Sequence, residues 1–161
     1  MNTKQLWCAL IKNSVTENKF DGIFSSDLLD DIVSKPKLII CNTDPSHKKG
    51  SHWVLFFFEN ENLEFYDSLG KSINDYGKEF VNFAKRYSVS YEECKYRTQP
   101  KDTDICGQLC LYFAYYKCKG YNMDFIMNKM SDIDLVLKLV NSKFNICKMS
   151  KCMFLQCCNK F

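Results

Sequence analysis

Apolar residues follow two rhythms along this chain. Between Thr3 and Lys12, Leu6, Trp7, Leu10 and Ile11 recur at helical spacing, which predicts an amphipathic helix. Phe20-Asp21-Gly22-Ile23-Phe24 reads as a turn and a short extended piece. Ser25-Ser26-Asp27 then reads as the cap of a helix carrying Leu28, Leu29 and Ile32, which Pro36 ends. Leu38-Ile39-Ile40-Cys41 is a buried strand, and Asn42 to Gly50 a polar loop. Ser51 to Phe58 is the strongest strand signal. Its unbroken apolar run from Trp53 to Phe58 implies cover on both faces and a central place in a sheet. Glu59 to Asn62 is a turn, Leu63 to Asp67 the returning strand, and Ser68-Leu69-Gly70 closes it.

The helical period then returns. Asn74 to Arg86 is predicted as one amphipathic helix with Tyr76, Phe80 and Phe83 on one side. Tyr91 to Thr98 reads as a third strand and residues 99–105 as a polar loop. Cys106 to Lys119 is apolar almost all round, the mark of a buried helix. Two more helices are predicted near 122–130 and 132–143. Neither repeat nor linker interrupts the pattern, so the expected fold class is α+β in a single domain, 1–161. Within it we expect a core over about 18–120, a helical part over 121–146 and a basic, cysteine-rich tail over 147–161.

Composition narrows the class. Apolar residues at 46% and aromatics at 15% exclude disorder. No run of about 18 apolar residues exists, so no membrane helix and no membrane partner are expected. Met1-Asn2-Thr3-Lys4-Gln5 does not read as a signal peptide. Ten cysteines would suggest disulfides in a small secreted domain. Here Cys8, Cys41, Cys110 and Cys118 sit in apolar runs, where thiols behave as small hydrophobes, so most are expected to be reduced thiols of an intracellular protein. Residues 1–70 carry 7 basic and 10 acidic side chains, and residues 71–161 carry 15 and 9. From Lys138 onward there are five lysines and no acid, which keeps DNA open as a partner beside the commoner reading of a solvated basic helix end. Cys147, Cys152, Cys157 and Cys158 lack the closely spaced pairs of a zinc site, so no metal and no cofactor are expected.

A thiol nucleophile needs a base, and the chain has two histidines. His47 lies in a polar loop with nothing to orient it, whereas His52 opens the central strand. The hairpin turn is centred near residues 59–60 or 60–61, and an even-length loop puts residues 52 and 67 on the same face of the sheet. We expect them to be directly opposite for a two-residue loop and diagonal for a four-residue one. Opposite neighbours stand roughly 5 Å apart and diagonal ones roughly 7–8 Å, so Asp67 can reach the imidazole either way. It would then hold one ring nitrogen and stabilise the imidazolium. The third element is Asp104-Ile105-Cys106-Gly107, where a polar loop delivers Cys106 to the first turn of a buried helix. The helix dipole stabilises a thiolate there, and free backbone N–H groups can bind an oxyanion. Gly107 would let a backbone or a ring come close. Gln99, at the strand-to-loop junction, can supply a second oxyanion donor.

Gly50-Ser51-His52-Trp53-Val54, Phe65-Tyr66-Asp67-Ser68-Leu69-Gly70, and Gln99 followed after six residues by Cys106-Gly107 resemble the adenain family of cysteine proteases. That family takes in proteases of large DNA viruses and virus-like transposons, and more distantly the SUMO-type ubiquitin-like-protein proteases. Phe20-Asp21-Gly22-Ile23-Phe24-Ser25-Ser26 and Asn42-Thr43 also resemble the virus and transposon branch, and the resemblance covers about residues 18 to 120. It implies a permuted papain-like α+β fold. It also implies His52 as general base, Asp67 as the orienting acid, Cys106 as nucleophile and Gln99 as oxyanion donor. Trp53 matches the Trp that, in the SUMO-type relatives, covers a narrow channel for small substrate residues, and Trp53 and Gly107 are the expected substrate-binding residues.

The implied function is an endopeptidase, viral or transposon-encoded, that matures structural precursor proteins by cutting after small residues such as Gly. A protease of ubiquitin-like modifiers is the second reading, and a non-catalytic binding module on the same fold the third. Host cytoplasm, nucleus or virion are the expected locations. Adenain has Glu where Asp67 stands, though relatives use Asp. Adenain is also activated by DNA and by a disulfide-linked peptide. Cys94 is not at the matching spacing from Gln99, so an activating peptide stays open as a partner without being implied.

Overall fold

The computed structural model describes residues 1–145. Five strands form one mixed sheet in the order β1 (Phe20–Ser25), β2 (Leu38–Asn42), β3 (Trp53–Glu59), β4 (Asn62–Tyr66) and β5 (Ser90–Glu93). β1 runs parallel to β2, β2 to β3 and β3 to β4 are antiparallel, and β5 returns parallel to β4. β3 is therefore central, and every residue from Trp53 to Phe58 is buried. Strand alternation explains why such a run is needed. Trp53, Leu55 and Phe57 enter one core layer, and Val54, Phe56 and Phe58 enter the other.

The helices complete the two layers. On one face lie α1 (Thr3–Ile11), α3 (Cys106–Cys118), α4 (Met123–Lys129) and α5 (Ile133–Phe144). On the other, α2 (Lys78–Tyr87) packs Phe80, Phe83 and Ala84 against the sheet. α3 has no polar face to speak of, because its flanks are covered by α1, α4, α5 and β3. None of the described helices is long and apolar enough to cross a membrane.

Three elements differ from the sequence expectation. Residues Ser26–Asp31 form a 3₁₀ turn, and Ser25 makes no side-chain capping bond. The helix expected over 74–86 is broken into a 3₁₀ turn, Ile73–Tyr76, and α2. Gly77 lies between them at φ 97°, a conformation helical residues do not adopt. The third strand is only Ser90–Glu93 instead of 91–98. β4 ends at Tyr66, so the ladder has little left to pair with. Cys94 N–H still reaches the Phe65 carbonyl at 3.1 Å, and the N–H groups of Thr98 and Gln99 turn to the Ser68 carbonyl at 2.9 Å each. Of the described cysteines Cys41, Cys94, Cys106 and Cys110 are buried and Cys8 and Cys118 half-buried, all of them free. The tail with Cys147, Cys152, Cys157 and Cys158 lies outside the described residues.

Candidate active site

The β3–β4 hairpin turns through Asn60 and Glu61, with Glu59 paired to Asn62 and Leu55 to Tyr66. A two-residue loop was expected to set His52 directly opposite Asp67. It does not, because the loop is centred one residue later than that pairing requires. Continued past the strand ends, the register sets residue 52 against 69 and 67 against 54. His52 and Asp67 are thus diagonal neighbours on one face. Both lie just beyond the strands, where side chains of the two chains can lean together.

They do so closely. His52 Nε2 stands 2.6 Å from Asp67 Oδ1. Asp67 is fully buried and accepts three further hydrogen bonds: Leu69 N–H on Oδ1 at 2.9 Å, Lys71 N–H on Oδ2 at 3.0 Å and the Tyr76 hydroxyl on Oδ2 at 2.7 Å. Burial alone would raise this carboxyl's pKa. The bonds from His52, Leu69 and Tyr76 outweigh it and hold the carboxyl below its ordinary range. For His52, burial again opposes the charge, but hydrogen bonds to Asp67 and Cys106 push the ring up to about 9.

Cys106 is the first residue of α3. Burial would raise its thiol, yet hydrogen bonding to His52 and backbone bonds from Trp53 and Gly107 bring it below the ordinary value. The first intrahelical bond is Leu109 N–H to the Ile105 carbonyl at 3.0 Å. The N–H groups of Cys106, Gly107 and Gln108 lie ahead of it, at the positive end of the helix. Other thiols go the opposite way. Burial pushes Cys41 and Cys110 well up, and Cys94 and Cys118 to about 11. With Nε2 engaged by the carboxylate, the remaining ring nitrogen of His52 is the one left for the thiol. A thiolate–imidazolium pair backed by a carboxylate is the chemistry this arrangement can hold.

Gln99 is buried against Ser68, the residue after Asp67. Its Oε1 accepts from the Ser68 hydroxyl at 2.9 Å and its Nε2 donates to the Thr103 carbonyl. These two contacts fix which way the amide faces and leave one amide hydrogen unspent. Trp53 lines a cleft of about 520 Å³ that also takes in Met1, Asn42, Gly50, Asp104 and Cys106. Its indole N–H donates to the Met1 carbonyl at 3.0 Å. Gly107 lies behind this lining. A Cβ there would stand 3.1 Å from Met1 Cβ and 3.5 Å from Trp53 Cδ1, so the close approach that glycine permits is to the chain's own N-terminal segment. His47 is exposed in its loop.

Three participants were not singled out from the sequence. Tyr76 reads from periodicity as part of the apolar stripe of a helix, whereas it sits in the 3₁₀ turn before Gly77 with its hydroxyl on Asp67. Ser68 was read as part of a closing turn. Met1 lies outside the stretch that carries the resemblance, and no sequence signal marks a residue that contributes through its backbone carbonyl. Among the described residues no group of three or more His, Cys, Asp or Glu is placed to hold a metal ion.

No family model and no curated protein sequence matches the chain. Solved structures do. A crystal structure of the ASFV pS273R protease superposes with a TM-score of 0.59 at 16% identity, over 88% of this chain and 64% of that one. Its selenomethionine form gives 0.51 at 14% identity over the same shares. At this identity the likeness is one of fold: the chain has the mixed α+β, papain-like architecture of a cysteine protease. It spans 64% of the length of that protease.

Proposed function

We propose that the chain is a cysteine endopeptidase of viral type, with Cys106 as nucleophile, His52 as general base and then acid, Asp67 as the orienting carboxylate and Gln99 as an oxyanion donor. The observation that carries this reading is the Cys106–His52–Asp67 relay at the start of a buried helix. There, among the described residues, the one thiol that hydrogen-bonds to a histidine is the one held below its ordinary pKa. The fold likeness to the ASFV pS273R protease supports the reaction class.

In the proposed reaction the Cys106 thiolate attacks the scissile carbonyl and its electron pair forms the C–S bond. The oxyanion is met by the first-turn N–H groups and the free hydrogen of Gln99 Nε2. The imidazolium of His52 gives its proton to the leaving amine as the C–N bond breaks. His52 then takes a proton from water, whose oxygen displaces the thiolate from the thioester. The cleft beside Trp53 is where we place the substrate residues before the scissile bond, and small residues such as Gly suit it.

The test is labelling with a Gly-Gly-ended electrophile, with mass spectrometry to locate the adduct. We expect modification of Cys106 that is lost in His52→Ala. Modification spread over several cysteines, or its persistence in His52→Ala, would remove the basis for the assignment. Cleavage of a capsid-type precursor set against a Gly-Gly modifier fusion then separates a maturation protease from a modifier protease.

A further inference from the structure

Asp67 carries more hydrogen bonds than a member of a catalytic relay needs for orienting a histidine. Two come from backbone N–H groups two and four residues ahead in its own turn, and they hold the carboxylate in place. The fourth comes from Tyr76, whose hydroxyl donates to Oδ2 at 2.7 Å from the 3₁₀ turn before Gly77. The Tyr76 ring also runs alongside the His52 imidazole, with centroids 6.5 Å apart and planes 23° apart. The ring also packs on Phe65 and Phe80, with centroids 6.2 and 5.3 Å away, in the core layer under α2. The ring is therefore anchored in one layer while its hydroxyl and face serve the site.

We propose that Tyr76 is a positioning residue for the reaction proposed above, on which this inference rests. Its hydroxyl completes the hydrogen-bond shell of Asp67, and its ring limits the movement of His52, so that the imidazole stays turned toward Cys106. A carboxylate has about four acceptor sites, and all four are filled when Tyr76 donates. Without that hydroxyl one lone pair of a buried carboxylate loses its partner. The carboxylate then holds a proton more readily, and the proton shared with His52 shifts toward the acid.

The other ionisable groups facing Asp67 do not obscure that change. Tyr66 from β4, Cys94 after β5 and Cys110 from α3 are all pushed up by burial and stay neutral through the acid and neutral range. Asp75, which faces Tyr76, and Lys71, whose Nζ stands 5.8 Å from its ring centre, are the same in protein and variant. What remains is the coupled set of Asp67, His52 and Cys106.

The experiment needs no substrate. The rate of Cys106 alkylation by iodoacetamide is followed against pH by mass spectrometry in the full chain, in Tyr76→Phe and in Tyr76→Leu. In the unsubstituted protein the alkylation rate is expected to reach its plateau at a lower pH than that of an ordinary thiol. Tyr76→Phe keeps the packed ring, and we expect its acid limb to move up by roughly half a pH unit, about threefold in rate on that limb. Tyr76→Leu also loses the ring and is expected to lower the plateau roughly tenfold. Superimposable profiles for the protein and Tyr76→Phe would overturn the proposal. An ordinary thiol profile for Cys106 in the unsubstituted protein would instead overturn the proposed function itself. Thermal unfolding of Tyr76→Phe within a few degrees of the parent separates positioning from a loss of fold.

Discussion

The two faces of the sheet are built from different materials. The layer under α2 is almost purely aromatic and aliphatic: Phe56, Phe58, Phe65, Phe80 and Phe83 pack edge-to-face or offset at centroid distances of 5.1 to 6.4 Å. The layer under α3 is larger and chemically mixed, with Cys94, Cys106, Cys110, Tyr66, Tyr112 and Tyr115 among its aliphatic residues. Tyr66 stacks flat on Phe113 at 4.4 Å while its hydroxyl pairs with Thr98 at 2.8 Å. The lesson is a division of labour along a single strand. Successive residues of β3 feed the layer that supplies stability and the layer that supplies position, so each side chain serves one layer and a substitution can address one at a time.

That division makes opposite demands on two substitutions. Cys106→Ala removes the proposed nucleophile, and turnover should fall by roughly 10⁴-fold or more while thermal unfolding stays within a few degrees of the parent. Retained cleavage would break the comparison at its centre. Phe83→Ala works the other way. The side chain is fully buried and meets Phe56 at 5.2 Å and Phe58 at 5.7 Å, so its removal should cost about 3–5 kcal/mol in chemical denaturation. Alkylation of Cys106 per folded molecule should stay near the parent rate. A collapse of Cys106 reactivity at full folding would show that the layers are not separable.

Acidity sharpens the same contrast. His52, raised to about 9, stabilises the fold most below its unfolded value near 6.5, and that contribution fades as pH rises through about 9. Cys106, lowered from 9.0, contributes in the opposite sense, more as pH rises toward 9.0. The two contributions therefore run against each other with pH and offset in part, whereas activity should fall about tenfold per unit above 9 as the imidazolium is lost. Asp67, held low, adds stability above about 3.8 that is lost as pH falls through its native value. Activity that stays flat well above pH 9 would contradict the pairing.

How far all this could be read from the sequence follows the same boundary. The apolar run from Trp53 to Phe58 revealed the central strand because a doubly covered strand has no polar residues to lose. Cys106 to Lys119 revealed α3 for a similar reason. The register error at Asn60 and Glu61 arose because two adjacent turns have nearly the same composition, and only the ladder decides between them. Same-face geometry survived it, since both turns keep residues 52 and 67 in phase. Tyr76 was missed because periodicity assigns a tyrosine to an apolar face and is silent about its hydroxyl. The contribution of Met1 was illegible because a carbonyl has no side-chain identity to read.

A smaller effect is expected at Ser68. Its hydroxyl orients the Gln99 amide but touches no reacting atom. Ser68→Ala should lower kcat roughly tenfold with KM unchanged, because the oxyanion donor is loosened only in the transition state. A rise in KM with kcat intact would assign Ser68 to the cleft instead. Gln99→Ala provides the reference, since Ser68→Ala should add little on top of it.

The smallest effect is expected where the α3 layer is polar but remote from the site. Lys117 Nζ lies 2.5 Å from Glu64 Oε1, with the two side chains 5% and 19% exposed, and Glu64 Oε2 has no partner. The charges come out of water, yet only one carboxylate oxygen is compensated. Burial raises the Glu64 carboxyl despite its lysine. Such a pair contributes little beyond what apolar residues of the same volume would give. Lys117 Nζ also lies over the Phe57 ring, 5.1 Å from its centroid, where a methionine sulfur can take its place against the ring. The double substitution Lys117→Met with Glu64→Leu should therefore leave unfolding free energy within about 1 kcal/mol of the parent and Cys106 reactivity unchanged. Lys117→Met alone should be worse than the double, because it strands a buried carboxylate. A double variant that loses several kcal/mol would mean that polar groups hold this layer together everywhere, and not only where α3 begins. The contrast between a layer for stability and a layer for position would then fail at the end of the helix where it is easiest to measure.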